Sequence, residues 1–550
     1  MPRLLVRSCL AICLSGFCLL GLPAADADKD ALRYDGKPFE YWQTYMRTEL
    51  KSERRIEGLR ALAAFGARGH AEEAAKAIVE VVKDYGEDAY NDDAERATPD
   101  QKVILAAKAA VFKIGPAAYE VVLRNAKNDR LRIFADAFVP KNWANNPYEI
   151  LLSTSSVTIL LDYIQGEQGD VQDFAVTVLS RAIHQWPRSK EIFQEILREK
   201  KDTEALAHRL MALLETKSSP DSVHILKAMG PSAKPATKVL VKARLRGDFN
   251  DEAVFQAIGV ETVSLLPEIQ EGLKSDEGEI RQRAASWIGS MGTKAKAALP
   301  ALLQEVKDGP KKELKAEKTS SAPEGFSRTD ASVRVDDGGC TSVRVDDGGC
   351  TYEERAWLGA LDAAIAVGAD RSQLVPSMIR IVGDRTRGYD CRLTVAKKLE
   401  EFGKQAKEAV PILVTRISDE SEKPTIRSQA LTAIEAIGFE NRQVVPALVK
   451  VIESEMEEHP THNHCSSDVL EAALYALAKL QPQARESMPT LIRAFAQYTH
   501  DSLVRAAIAP ALGAMGPAAR EALPALREAT KANEGFLRKA AKAAIEKIDK

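Results

Sequence analysis

A frame of glycine and proline recurs along the second half of the chain and constrains its fold more than any other feature. Seven prolines lie within short apolar runs, and six of them follow a glycine by eight residues. Successive prolines are separated by 33, 76, 35, 35, 43 and 35 residues, so the basic period is about 35. The frame consists of Gly259/Pro267, Gly292/Pro300, Gly368/Pro376, Gly403/Pro411, Gly438/Pro446, Gly516/Pro524, and Pro489 with Gln481 in the glycine position.

A frame arginine precedes the glycine by eleven residues in four of these repeats, and Arg55 has the same offset before Gly66. Eleven residues make three helical turns, so we predict a helix that starts near the arginine and ends at the glycine in a left-handed conformation. Proline suits the first turn of the helix that follows. Each repeat is therefore predicted to be one antiparallel helix pair. The four arginines are Arg281, Arg392, Arg427 and Arg505.

This pattern resembles the HEAT and HEAT-like (PBS-lyase-type) repeats, short helix pairs that stack into a superhelix. The resemblance is strong from about residue 250 to the C-terminus, fair over 52–125 and weak over 116–229, where the frame is absent. It implies an all-α fold, an α-solenoid. It also implies a ladder of hydrogen-bonded Asp–Arg pairs, formed by Asp276 with Arg281, Asp419 with Arg427 and Asp501 with Arg505. A tetratricopeptide array has a similar period, but its aromatic positions are missing here.

The first 27 residues have the pattern of a signal peptide. Arg3 and Arg7 precede an apolar run over 8–22, and small residues at 25–27 suit cleavage. The run is short for a membrane span, although an uncleaved anchor is the alternative. We therefore expect an exported protein, periplasmic or extracellular, without stable membrane insertion after cleavage.

Residues 28–51 are predicted to cap the array. Their Gly-Lys-Pro and Tyr-Trp segment over 36–42 resembles the lead-in to the first repeat of some exported bacterial HEAT-repeat proteins. Phe39, Tyr41 and Trp42 are expected to cover the apolar end of the first helix pair, as a terminal repeat requires. A ligand-binding aromatic patch is the alternative.

Repeats are predicted over 52–308, irregular in 116–229, and again over 353–550. The insertion between them, 309–352, is rich in Lys, Ser, Asp and Gly and is expected to be mobile. It contains the same ten residues twice, at 332–341 and 342–351. The alternatives for this segment are a Cys340–Cys350 disulfide and calcium bound by four aspartates, although their spacing lacks a full ligand set: Asp336, Asp337, Asp346 and Asp347.

Seven cysteines are present, and four of them follow the signal segment: Cys340, Cys350, Cys391 and Cys465. So few cysteines in so long a chain do not form a disulfide framework, and their pairing stays open at this stage. The one sequence cluster with metal-binding chemistry is a His-rich loop at 459–465. Its candidate metal ligands are His459, His462, His464 and Cys465, with a solvated loop between helices as the alternative.

The charge balance of 76 Lys and Arg against 79 Asp and Glu gives no field suited to nucleic acid. The sequence contains no catalytic elbow, metalloprotease motif, phosphate loop or dinucleotide fingerprint, so we predict neither an enzyme nor a cofactor. Solenoids commonly offer an extended curved surface to another chain. We therefore predict an exported scaffold that binds a protein or peptide, and the alternative is a metal-binding or enzyme-accessory protein that uses the loop at 459–465.

Overall fold

The computed structural model describes residues 32–90, 97–139, 150–199, 203–311, 349–438, 444–458, 468–480 and 483–550. Within these ranges the regular structure is helical, apart from one isolated β-bridge between Tyr34 and Lys37. This confirms the all-α prediction. The predicted signal segment, most of the insertion and the His-rich loop lie outside the described residues, so nothing here tests those predictions. No helix in the described part of the chain is both long enough and apolar enough to cross a membrane.

The chain divides into two compact units. The first comprises the described residues up to 244 together with 248–261, and the second comprises 245–247 and the described residues from 262 onward. The helices up to the end of the first unit are α1 (Phe39–Thr48), α2 (Ser52–Gly66), α3 (Ala71–Val82), α4 (Pro99–Ile114), α5 (Pro116–Arg124), α6 (Asp129–Asp136), α7 (Thr154–Gly166), α8 (Asp170–Gln185), α9 (Pro187–Glu199), α10 (Thr203–Thr216), α11 (Pro220–Met229), α12 (Thr237–Arg246) and α13 (Ala253–Ala257).

The second unit continues with α14 (Leu266–Gly272), α15 (Gly278–Ser290), α16 (Leu299–Asp308), α17 (Tyr352–Val367), α18 (Arg371–Gly383), α19 (Tyr389–Phe402), α20 (Val410–Ile417), α21 (Pro424–Ile437), α22 (Val444–Glu458), α23 (Asp468–Lys479), α24 (Met488–Gln497), α25 (Ser502–Ala514), α26 (Leu523–Ala529) and α27 (Gly535–Ile548). Short 3₁₀ segments precede several of the proline-containing helices.

In the first unit, helices continue through 116–229 although the glycine–proline frame is absent. The N-terminal helix α1 packs on α2 and α3. Phe39 and Trp42 are buried there, and the Trp42 indole donates to the carbonyl of Tyr34 at 3.0 Å. Tyr41 is 42% exposed, so it does not cover the first pair as expected. Of the three predicted capping aromatics, Phe39 and Trp42 are therefore the two that are buried.

The second unit is built from two rows of helices. We call α15, α17, α19, α21, α23, α25 and α27 the arginine row, and the intervening even-numbered helices α14 to α26 the proline row. Each proline-row helix packs on the arginine-row helix that follows it, and neighbouring helices of the arginine row also pack on one another. This alternation is the α-solenoid of helix pairs that the frame predicts.

The frame glycines have the backbone conformation that ends a helix. All six have positive φ, between 53° and 115°. Gly368 is left-handed, with φ 103° and ψ 35°. Gly403, with φ 53° and ψ −133°, and Gly438, with φ 115° and ψ 138°, have positive φ but are not left-handed helical, so the predicted left-handed stop is wrong at these two positions.

Gly66 differs from the other frame glycines, because it lies at the end of α2 and its φ is not positive. A Cβ atom there would stand 2.6 Å from Cγ1 of Ile114 on α4. Close packing of two helices explains this glycine, and backbone conformation does not. The predicted left-handed stop at Gly66 is therefore wrong.

Most of the frame prolines occupy the first turn of a helix, as predicted. Pro267, Pro300, Pro411, Pro489 and Pro524 are each the second residue of their helix, where the missing N–H would have no intrahelical partner. Pro376 differs, because α18 begins five residues earlier.

Candidate functional site

The frame arginines occupy one equivalent position in their helices. Arg55, Arg281, Arg392, Arg427 and Arg505 are each the fourth residue, in α2, α15, α19, α21 and α25. Arg538 has the same place in α27 without a frame glycine after it. Their side chains run back toward the segment that leaves the preceding helix.

Most of these arginines donate to backbone carbonyls at the end of the preceding helix or just beyond it. Those carbonyls lack intrahelical partners, so a buried guanidinium satisfies groups that would otherwise be costly. The bonds run from Arg55 Nε to Glu49 O at 2.7 Å, from Arg281 Nη1 to Ser275 O at 2.7 Å, from Arg427 Nε to Ile417 O at 3.0 Å, and from Arg538 Nη1 to Ala532 O at 2.7 Å. Arg505 instead lies over the Phe495 ring, 4.5 Å from its centroid.

The predicted ladder of Asp–Arg side-chain pairs is wrong. The Asp276 side chain is fully exposed, and only its backbone carbonyl accepts from Arg281. Asp501 caps the N-terminus of α25 by accepting from two backbone N–H groups. The remaining aspartate, Asp419, pairs with Arg385 and Arg416 rather than with Arg427.

Glutamates provide the buried countercharges. Arg281 is 1% exposed and forms ion pairs with Glu305, at 3.0 Å, and with Glu353. Burial raises the pKa of Glu305, and the neighbouring Arg281 opposes that rise. The Arg392 and Glu422 side chains form a second buried pair. Since these groups satisfy one another inside the unit, they support the fold and are not available to a ligand.

An open groove lies on the arginine row between α15 and α17. It has a volume of about 410 Å³ and is lined by Gln282, Ser286, Gly289, Arg355, Leu358, Gly359, Asp362, Ala363 and Ala366. Small residues form its floor, because the two helices approach closely there. A Cβ at Gly289 would lie only 3.1 Å from the Cα of Ala363.

The groove has charged groups along its α17 side. Arg355 is exposed, its Nε donates to the carbonyl of Cys350 at 3.1 Å, and its guanidinium lies over the Tyr352 ring, 4.8 Å from the centroid. Asp362 is already engaged by Lys398 of α19. Among the described residues no carboxylate forms an ion pair with Arg355.

A second cluster brings Cys350, Glu354 and Cys391 together, with one ligand-type atom from each within 4.8 Å of the others. Sequence reasoning missed both this cluster and the groove. The thiols are far apart along the chain, and the groove residues follow no recognisable motif. The repeat frame, which resumes after the insertion with Gly368/Pro376, was the signal in the sequence that α15 and α17 would be neighbours.

The sequence-predicted metal ligands His459, His462, His464 and Cys465 lie outside the described residues, so zinc binding there stays a prediction. Under this interpretation the purified chain carries zinc in a one-to-one ratio, and a His462→Ala/His464→Ala double variant loses it. Metal analysis of both proteins is the measurement. Absence of zinc from the wild type, or an unchanged content in the variant, contradicts the interpretation, and a Cys350→Ser control separates this loop from the second cluster.

Comparison with known proteins identifies repeats at the C-terminal end. A family model described as HEAT repeats matches residues 461–546. Comparison with curated proteins gives no match. Several solved structures are similar in fold, all at low sequence identity.

One is the karyopherin Kap121p bound to the extreme C-terminus of the protein phosphatase Cdc14p, with 14% identity over 92% of this chain and a TM-score of 0.37. This chain covers 62% of the karyopherin's length. Importin beta has 15% identity, with 93% of this chain and 69% of its own length covered and a TM-score of 0.39. Human deoxyhypusine hydroxylase has 18% identity and a TM-score of 0.21, with 63% of this chain and 97% of its own length covered. Similarities at this level carry no inference about ligand or activity.

Proposed function

We propose that this protein is an exported, non-enzymatic scaffold that binds an extended segment of a partner protein on its arginine row. The observation that carries the proposal is the open groove between α15 and α17. Its residues 355–366 follow one face of α17 for about 16 Å, which matches about five residues of extended chain. The groove is therefore long enough for about five residues of an extended peptide.

The chemistry of the groove favours a peptide with both apolar and acidic side chains. Its floor of glycine and alanine admits partner side chains close to the helix backbones, and Leu358 adds an apolar contact. Gln282 supplies an amide that both donates and accepts hydrogen bonds. Arg355 supplies a forked cation that suits a carboxylate, so we expect an acidic residue in the bound segment.

Export and the lack of catalysis are parts of this proposal that rest on the sequence. The signal-peptide pattern over 1–27 supports export, and recovery of a chain that lacks these residues from the periplasm or medium is the observation that tests it. The absence of recognised catalytic motifs supports a binding role. Accumulation of the uncleaved chain in the cytoplasm would contradict export.

Filling the groove is expected to abolish partner binding. Ala366 is exposed on α17 and lines the groove, so Ala366→Arg places a long side chain in the path of the peptide without disturbing the core. We expect partner retention by the tagged, crosslinked protein to fall about tenfold or more, equivalent to about 1.4 kcal/mol of binding free energy. Quantitative mass spectrometry of the retained proteins measures this.

The matched control is Ala496→Arg, the same substitution at an exposed alanine of α24 in the proline row. A partner retained by the control and lost from Ala366→Arg supports the proposed surface. A partner retained equally by both variants shows that binding occurs elsewhere on the chain.

A further inference from the structure

Two cysteines that are distant in sequence meet at the point where the chain returns from the 309–352 insertion. Cys350 stands immediately before Thr351, the N-cap of α17, and Cys391 is the third residue of α19. Their sulfur atoms lie within 4.8 Å of each other and of a carboxylate oxygen of Glu354. Cys391 is completely buried, whereas Cys350 is partly exposed. The pair therefore has one thiol that a reagent can reach and one that it cannot.

The third member of this cluster already has a structural task. Glu354 is 2% exposed, and its Oε2 accepts from the backbone N–H of Thr351 at 3.0 Å as part of a capping box. Its Oε1 accepts from the backbone N–H of Gly388 at 2.9 Å. Both carboxylate oxygens of Glu354 therefore already accept hydrogen bonds, one at the start of α17 and one in the segment before α19. This leaves the two thiols of the cluster as its uncommitted metal ligands. Zinc sites with thiolate ligands usually have four ligands.

We propose that Cys350 and Cys391 form a disulfide bond that fastens the end of the insertion to α19. The inference does not depend on the proposed binding function. Bond formation requires the two sulfur atoms to move from their present separation, within 4.8 Å, to about 2 Å, with rotation of the side chains into disulfide geometry. Such a bridge would close a loop containing α17 and α18 and restrict the unfolded chain.

The oxidant is a disulfide compound, R–S–S–R. The thiolate of Cys350 attacks one of its sulfurs, which forms a mixed disulfide and releases one RS⁻. Cys391 then loses its proton to solvent, its thiolate attacks the Cys350 sulfur, and the second RS⁻ leaves. The two cysteines lose two electrons and two protons in total, and the compound is reduced to two thiols.

The surroundings assign these roles to the two sulfurs. A hydrogen bond from the Cys391 thiol lowers the pKa of Cys350, and the same hydrogen bond together with burial raises the pKa of Cys391. The partly exposed sulfur is thus the better thiolate, and the thiolate is the attacking form in disulfide exchange. The buried sulfur then completes the bridge from inside the unit.

The bridge would also support the groove. Arg355 holds its position partly through the carbonyl of Cys350. Fixing residue 350 to α19 therefore restrains the segment that orients this arginine. Reduction is expected to increase amide hydrogen exchange at 349–355 relative to the oxidised protein.

Peptide mapping of the full-length chain tests the proposal. The protein is equilibrated with oxidised glutathione, its remaining thiols are alkylated, and it is digested with trypsin without reduction. We expect peptide 345–355, which contains Cys350, to be linked to peptide 388–392, which contains Cys391. The duplicated segment causes no ambiguity, because the Cys340 peptide, 335–344, ends in a different sequence.

Three results would overturn the proposal: alkylation of both Cys350 and Cys391, linkage of Cys350 to Cys340, or protection of both thiols that is lost on adding a chelator. The last result would indicate a metal site instead. A Cys350→Ser variant supplies an independent check that leaves the buried cysteine in place. Its 388–392 peptide is expected to change from linked to alkylated after denaturation, and continued linkage to another peptide would contradict the assigned pairing.

Discussion

Replacing Arg281 with methionine is expected to lower the free energy of local unfolding of α15 and α17 by about 3–5 kcal/mol. The guanidinium is 1% exposed and lies between the carboxylates of Glu305 and Glu353. Removing it leaves two largely buried negative charges without this cation, and it also removes the short hydrogen bonds to the carbonyls of Ser275 and Asp276. The loss should therefore exceed that of an ordinary surface ion pair.

Native-state hydrogen exchange is the suitable measurement, because a repeat array opens locally and a single global unfolding energy does not describe it. Lys274→Met is the matched control, since Lys274 pairs with Glu271 at the surface. That variant should exchange like the wild type. Equal protection of α15 in Arg281→Met and the control would contradict the role assigned to the buried arginine.

The loss of local unfolding free energy in Arg281→Met should be smaller at mildly acidic pH than at neutral pH. Burial holds the pKa of Glu305 above its ordinary value, so the folded chain binds this proton more tightly than the unfolded chain does. Stability linked to this group is thus present below the ordinary carboxyl pKa and is lost as the pH rises through the folded-state pKa. Since Arg281 lowers that pKa, its removal raises the pKa further and strengthens the rescue by acid. A pH-independent deficit would contradict this explanation.

Truncation of Trp357 is the second substitution with a large expected effect. Trp357 stands eleven residues before Gly368, where other repeats have the frame arginine. Its side chain is completely buried, and the indole N–H donates to the carbonyl of Val306 at 2.9 Å. The bond joins α16, before the insertion, to α17 after it. Trp357→Ala is expected to cost about 3–5 kcal/mol, because it opens a large cavity and removes the donor.

Trp357→Phe separates the two contributions. It keeps most of the ring volume but leaves the Val306 carbonyl without its donor, so we expect a smaller loss of about 1–3 kcal/mol. Hydrogen exchange in α16 and α17 measures both variants, with Tyr475→Ala as a control at a half-exposed aromatic residue of α23. Similar protection in Trp357→Ala and the control would show that this contact does not join the helices across the insertion.

The sequence predicts the helix pairs well, because the signals that define them are local. Positive φ at the frame glycines and proline in the first helical turn depend on the backbone of a few neighbouring residues. Gly66 has the same spacing, but its reason is contact with Ile114 on another helix. The arginine pattern likewise gives the position of each side chain in its helix. It does not identify the group to which that side chain donates.

By itself, then, the sequence determined an all-α solenoid of helix pairs, the turns between the pairs and the periodic place of the arginines. Tertiary structure alone decided that the arginines bind carbonyls and glutamates, that Trp357 replaces an arginine as a donor, and that Cys350 meets Cys391. It also decided that small residues of α15 and α17 leave a groove. The physical reason is that φ and ψ preferences act between neighbours in sequence, whereas ion pairs, sulfur contacts and cavities depend on how distant helices pack.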